Sequence, residues 1–335
     1  MTIKEAKIYI RKELSNIYPK NELSAFIRII FSDVFELNFT ETIIKENDVL
    51  ADEECEKIKG IVKRLNNFEP LQYIVGFTEF YELKFKLSPH VLIPRPETEE
   101  LVDLIIKENT GKTGLKVLDI GTGSGCIAVS LAKNLPEPEI FALDVSKKAL
   151  TLAESNALIN RAKIAFVQGD ILNYKTEKFF AGDDLELLPQ SGGLKLSPRK
   201  DDLQVSPQKD NLKLSPQRDD LQLSPRRDDL HETFDIIVSN PPYVTLSEKE
   251  KTEKNVKEYE PEIALFVEDE NPLIFYRVIT GFAEQQLSEN GKLYFEINEK
   301  FGKEVKDILC SFGFSGIKII KDINGKERIV KGVKK

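Results

Sequence analysis

Four consecutive residues carry the most specific chemistry in this chain of 335 residues: Asn240-Pro241-Pro242-Tyr243. Neither proline has an N–H, so the carbonyls of Asn240 and Pro241 can point at a ligand instead of closing a helical turn. Together with the Asn240 side-chain oxygen they form a set of acceptors suited to a planar NH2 group. Tyr243 adds a ring face that favours a cation. The apolar, β-branched residues 234–239 run directly into this quartet, which predicts a buried parallel strand with the quartet at its carboxyl end. Sheets of this type bind ligands beyond those ends.

A second constellation lies upstream. Residues 117–120 read as a strand, and Gly121-Thr122-Gly123-Ser124-Gly125 turns it into a helix from Cys126, with Asp119 just before the turn. A glycine-rich strand-to-helix turn alone suits any nucleoside or dinucleotide. Two acids sharpen it: Asp144, ending the strand 140–145, can take both ribose hydroxyls, and Asp170, after the strand 164–168, can receive an adenine amino group. A third feature is Ile93-Pro94-Arg95-Pro96-Glu97-Thr98-Glu99, whose prolines hold Arg95 extended before a helix that runs to about residue 107. Such an arginine is either a cleft wall or interdomain packing.

The elements that must position these groups fall into two domains. Residues 1–75 show apolar residues at helical spacing, among them Ile3, Ile8, Ile10, Phe26, Ile29, Ile30, Val34, Ile58, Ile61, Val62 and Leu65, and predict about four helices. Residues 76–96 hold a hairpin linker. Residues 97–335 alternate strands and helices, adding strands at 292–297, 316–321 and 327–333 to those above. Asn324-Gly325 reads as a two-residue hairpin turn, so the sheet is expected to end in an antiparallel strand. Between the third and fourth strands, residues 194–229 are four copies of a nine-residue unit with Ser-Pro at its fourth and fifth positions. It has no aromatics and too few apolar residues to offset the entropy of ordering, so the insert at about 176–231 is expected to be disordered.

Composition excludes other chemistries. Cys55, Cys126 and Cys310 are too far apart for a metal or redox motif, and His90 and His231 are the only histidines, so neither a histidine base nor a zinc site is expected. A net charge of -8 without a basic patch argues against a nucleic-acid substrate. The charged opening residues and the lack of a membrane-length apolar run imply a cytoplasmic protein.

Asp119-x-Gly-x-Gly-x-Gly combined with Asn-Pro-Pro-Tyr resembles the class I S-adenosylmethionine methyltransferases that modify planar amino or amide nitrogens. Residues 69–100, from Glu-Pro-Leu-Gln-Tyr-Ile-Val-Gly to Leu-Ile-Pro-Arg-Pro-Glu-Thr-Glu-Glu, are similar to the release factor glutamine methyltransferases, the PrmC/HemK family; Tyr259-Glu260-Pro261 with Ala264-Leu265 fits too. The resemblance spans nearly the whole chain and departs from the family at the insert. It implies an α/β fold, a seven-stranded Rossmann-like sheet behind an N-terminal helical bundle, residues 1–75, which either docks the release factor or caps and stabilises the catalytic domain. It implies methylation of the glutamine amide in the Gly-Gly-Gln motif of class 1 peptide chain release factors. It places S-adenosylmethionine on Asp119, Gly121, Thr122, Gly123, Ser124, Gly125, Asp144, Asp170, Ile171 and Asn240. Asn240, Pro241 and Tyr243 then act in catalysis, and Asn240, Pro241, Pro242, Tyr243 and Arg95 bind the substrate. Two other readings stay open from the residues: an adenine N(6) methyltransferase acting on nucleic acid, and a cofactor-binding scaffold without activity.

Overall fold

The computed structural model describes residues 1–174 and 233–335; the repeat expected to be disordered lies outside the described residues. Five helices open the chain: α1 (Ile3–Leu14), α2 (Lys20–Ile29), α3 (Phe39–Ile44), α4 (Asp52–Asn66) and α5 (Leu71–Val75). A π-helical turn, Ile30–Val34, extends α2. The fifth helix is one more than the apolar period announces, because at 5 residues it is too short to show a period. Reciprocal capping by Thr2 and Glu5 starts α1. Ile3, Ile10, Leu14, Phe31, Ile58 and Leu65 pack as a core of their own, whereas Ile8, expected inside, is 55% exposed.

β1 (Phe77–Phe80) and β2 (Leu83–Lys86) form an antiparallel hairpin. Its turn residues Tyr81 and Glu82 take left-handed φ of 48° and 60° without any glycine. Tertiary contact holds them: the Glu99 carboxylate accepts the Tyr81 N–H at 2.9 Å, and Phe80 and Phe85 stack edge to face in the core.

The remaining elements are α6 (Pro96–Glu108), β3 (Lys116–Ile120), α7 (Cys126–Asn134), β4 (Glu139–Asp144), α8 (Lys147–Ile159), β5 (Ala165–Gln168), β6 (Phe234–Ser239), β7 (Val244–Thr245), α9 (Lys254–Tyr259), α10 (Glu262–Leu265), β8 (Phe266–Val267), α11 (Ile274–Gln286), β9 (Leu287–Glu296), α12 (Gly302–Ser311), β10 (Ser315–Lys321) and β11 (Glu327–Val333). Seven strands make one sheet in the order β10-β11-β9-β6-β3-β4-β5. β3 pairs in parallel with β4 and β6, β6 with β9, and β11 runs antiparallel to both its neighbours. Alternation along the strands splits the core into two layers. Val117, Ile236 and Val238 pack among residues of α6, α7 and α8, while Leu118 and Ile237 pack among residues of α11 and α12.

One expected detail is corrected. The β10–β11 turn holds three residues, Ile323-Asn324-Gly325, and only Gly325 is left-handed (φ 79°). The Asp322 carboxylate accepts the N–H groups of both Asn324 and Lys326 at 2.9 Å, which anchors the longer loop over a two-residue turn.

From β3 the chain builds outward to β4 and β5, then returns to lay β6 on the other flank of β3. A crevice therefore opens beyond the carboxyl ends of β3 and β6, where an open α/β sheet binds its ligands.

Candidate active site

On the β3–β4 side of the crevice the backbone shapes the site. Gly121, Gly123 and Gly125 adopt φ of 75°, 56° and 79°. The N–H groups of Gly121 and Thr122 both reach the Leu143 carbonyl, at 2.8 and 3.0 Å. Gly125 is constrained twice, because a Cβ there would stand 3.0 Å from that of Ala153 in addition to the left-handed strain. Fully buried Asn156 braces the loop from behind: its amide donates to the carbonyls of Ser124 (2.8 Å) and Lys86 (3.1 Å) and accepts the Lys86 N–H (2.7 Å).

The acids stand on this frame. Asp119 is fully buried; its Oδ2 accepts the Thr122 hydroxyl at 2.7 Å, and its Oδ1 finds no partner among the described residues. Burial pushes its carboxyl up to about 7, against the pull of Thr122. Asp144 accepts the N–H groups of Gly123 (2.9 Å) and Ser146 (2.8 Å), and burial raises it despite those bonds. The Asp170 carboxylate caps the 3-10 turn Ile171–Asn173 through the Leu172 N–H (2.9 Å) and the Asn173 amide (2.6 Å). Ile171, only 7% exposed, packs in the core layer that holds Leu143 and Val167. A helix N-terminus, a loop that lets backbone approach closely, and acceptors at the ends of β4 and β5 fit a ligand bearing hydroxyls and amines.

On the β6–β9 side, side chains shape the site. The Ser239 hydroxyl donates to the Ile120 carbonyl at 2.7 Å and pins the end of β6 to β3. Asn240 then turns its side-chain NH2 toward the Thr98 hydroxyl oxygen (3.3 Å), and Thr98 gives its own proton to Glu296 Oε2 (2.7 Å). The Tyr243 hydroxyl donates to Glu296 Oε1 at 3.2 Å, and the Tyr243 carbonyl accepts from Asn298 at 3.3 Å. Buried Pro241 and half-buried Pro242 lie between these anchors. Among the described residues, the carbonyls of Asn240 and Pro241 accept no hydrogen bond. Glu296 is 1% exposed; burial raises its carboxyl against the pull of Thr98, Arg328 and Tyr243. Burial, and then the neighbouring Glu296 charge, raises the Tyr243 hydroxyl.

Arg95 is committed elsewhere in the same wall. Its guanidinium meets Glu260 at 2.6 Å, and the other Glu260 oxygen takes the Ile93 N–H at 3.4 Å. Glu260 is 4% exposed, and burial raises its carboxyl against the attraction of Arg95. The adjoining Tyr259 hydroxyl donates to the Asn67 carbonyl (2.8 Å) and Lys254 lies 4.4 Å over the Phe68 ring, so this segment joins the helical bundle to the crevice.

The sequence reading singled out Arg95 within Pro-Arg-Pro-Glu-Thr-Glu but passed over Thr98. Pro96 at the first position of α6, and the Thr98 N–H on the Arg95 carbonyl at 3.0 Å, fix the turn that aims Thr98 inward. Glu296 was missed as well, although it carries the signal that exposed Asp144: an acid ending an apolar strand.

A parallel sheet with a left-handed glycine loop at one flank of its switch point and an Asn-Pro-Pro-Tyr strand end at the other defines a methyltransferase of the Rossmann-like class. The family model "Methyltransferase small domain" matches residues 98–181, and "PrmC N-terminal domain" matches residues 5–76. The chain is 39% identical to the release factor glutamine methyltransferase of Flavobacterium psychrophilum, with 99% of each covered. It is 37% identical to that of Bacteroides thetaiotaomicron, covering 96% of each, and 36% identical to that of Lactococcus lactis, covering 91% of this chain and 92% of the relative. The chain belongs to the release factor glutamine methyltransferases, S-adenosylmethionine-dependent enzymes.

Proposed function

We propose that this protein methylates the side-chain amide nitrogen of the glutamine in the Gly-Gly-Gln motif of class 1 peptide chain release factors. The observation that carries the reading is the set of three oxygens at the end of β6: Asn240 Oδ1, turned away from Thr98, and the carbonyls of Asn240 and Pro241, which accept nothing among the described residues. An amide nitrogen is a poor nucleophile because its lone pair is delocalised into its carbonyl. Asn240 Oδ1 and the Pro241 carbonyl accept its two hydrogens, fix its plane and hold the nitrogen toward the glycine loop. Bound S-adenosylmethionine supplies a methyl on a cationic sulfur that keeps the electron pair of the broken S–C bond. The amide nitrogen forms the new N–C bond and gives up one proton. Tyr243 packs the amide with a ring whose hydroxyl Glu296 fixes. No strong base is required, because orientation and fixed dipoles carry the rate.

The cofactor is assigned to the other flank. Gly121 through Gly125 let backbone approach it, Asp144 accepts from the ribose hydroxyls, Asp170 from the adenine amino group, and Asp119 holds the loop from beneath through Thr122. Ile171 supports the adenine from the core side. The helical bundle docks the release factor, and Lys7, Arg11 and Arg28 lining one concavity on it support that role.

The test is transfer of labelled methyl to a release factor beside a copy whose Gly-Gly-Gln glutamine is alanine. Label in the intact factor alone is expected. Equal label in both copies would overturn the residue assignment.

A further inference from the structure

The Asn240 amide can sit in its slot two ways, with oxygen or NH2 facing the crevice, and only the first offers an acceptor to a substrate amide. Nothing within the Asn-Pro-Pro-Tyr quartet chooses between them. The choice is made by a chain of hydrogen bonds with a fixed direction. When ionised, Glu296 is an acceptor only. It takes the single proton of Thr98 at 2.7 Å, the shorter of the two bonds in the chain. Thr98 Oγ1 is then left with lone pairs alone, so the group it meets at 3.3 Å must be the NH2 of Asn240. Asn240 Oδ1 consequently faces away from Thr98. The relay behind half-buried Asn240 is dry: Thr98 is 2% and Glu296 1% exposed, so water cannot supply a substitute donor between them.

We propose that Thr98 and Glu296 are positioning residues of the transfer reaction, which set the orientation of the Asn240 amide by passing acceptor character from a buried carboxylate through a hydroxyl. This inference rests on the reading of Asn240 as the substrate acceptor. Protonating Glu296 reverses the chain: the carboxylic acid donates to Thr98, the Thr98 proton turns to Asn240, and the amide is free to present NH2 where an acceptor is needed. The groups facing Glu296 come from every packed element. Tyr243 donates to Oε1, Arg328 on β11 favours the charge, Glu97 on α6 opposes it, and the Tyr276 hydroxyl on α11 donates to the Glu296 backbone carbonyl at 3.3 Å. Burial raises the Glu296 carboxyl, so the reversal comes at a higher pH than for an ordinary glutamate.

The experiment measures kcat, KM for the release factor and cofactor Kd across pH for the wild type and five variants. Thr98→Val, which removes the relay, and Glu296→Gln, whose amide can donate to Thr98, are each expected to lower kcat about tenfold or more while both binding constants stay within about threefold. Thr98→Ser, which keeps the hydroxyl, is expected to restore at least half of the wild-type kcat. Wild-type kcat is expected to fall on the acid side, and that fall to flatten in Glu296→Gln. In Asn240→Ala, adding Thr98→Val is expected to change kcat less than twofold, because the group being oriented is gone. Thr98→Val or Glu296→Gln at wild-type kcat, or an unchanged acidic limb in Glu296→Gln, would overturn the proposal. If Asn240→Ala alone left turnover intact, the reading of Asn240 itself would fall instead, so the two failures are distinct.

Discussion

The two flanks of the crevice are built by different means. On the β3–β4 flank the acids are held mostly by groups close in sequence: Thr122 is 3 positions from Asp119, Leu172 is 2 from Asp170, and Ser146 is 2 from Asp144, which also takes the Gly123 N–H from 21 positions away. On the β6–β9 flank the separations are 142 positions for Asn240 and Thr98, 198 for Thr98 and Glu296, and 53 for Tyr243 and Glu296. On the proposed reading the cofactor meets a largely local backbone motif, and the group to be modified meets a strand end held by side chains that only the finished fold brings together. The first flank is therefore sensitive to backbone conformation, and the second to the loss of single polar atoms.

Four substitutions probe that contrast, in decreasing order of effect. Gly125→Ala attacks the backbone flank by forcing a Cβ into left-handed geometry 3.0 Å from Ala153. Strain and overpacking together are expected to cost about 3 kcal/mol in chemical denaturation and to abolish measurable cofactor binding. Normal binding would show that the loop can be rebuilt. Arg95→Ala leaves the Glu260 carboxylate buried without its cation. A loss of about 2 kcal/mol is expected, partly recovered by adding Glu260→Gln, with cofactor affinity unchanged. Additive losses in the double variant would sever the pair. Asp144→Asn removes the charge from two short N–H contacts and from the proposed ribose contact; calorimetry is expected to show cofactor Kd rising about tenfold, with kcat at saturating cofactor nearly unchanged.

The smallest effect is the pH dependence of stability through Asp119. Its carboxyl is raised to about 7 in the fold, so it contributes stability that is complete below its unfolded value and lost as pH rises through about 7. Between the unfolded value and about 7 each pH unit is expected to remove up to about 1.4 kcal/mol, and above about 7 the loss levels off. Asp119→Asn should lose less stability than the wild type between pH 6 and pH 7, and equal slopes there would refute the assignment.

The same contrast governs what could be read in the sequence. The glycine loop, Asp119, Asp144 and Asp170 were visible because a local motif and strand-end acids are written in order along the chain. Asn240 to Tyr243 was visible for the same reason. Their supports were not: Thr98 lay in a segment read for its arginine, and Glu296 was one more acid ending an apolar strand. Asn156 looked like an ordinary helical residue until β2 and the Ser124 carbonyl closed around it. The Tyr81-Glu82 turn, with two left-handed residues and no glycine, depends on Glu99 from a later helix and could not be announced by turn chemistry. Helix α5 escaped for its length alone.

The most direct measurement is the single-turnover rate of methyl transfer with enzyme, cofactor and release factor all saturating, in the wild type and in Asn240→Ala. This isolates the transfer step from binding and from product release. A fall of about a hundredfold or more is predicted, far larger than any change in cofactor Kd, because the lost oxygen orients the substrate amide. A rate within about threefold of the wild type, or a loss explained wholly by weaker cofactor binding, would contradict the claim that acceptors at the end of β6 carry the reaction.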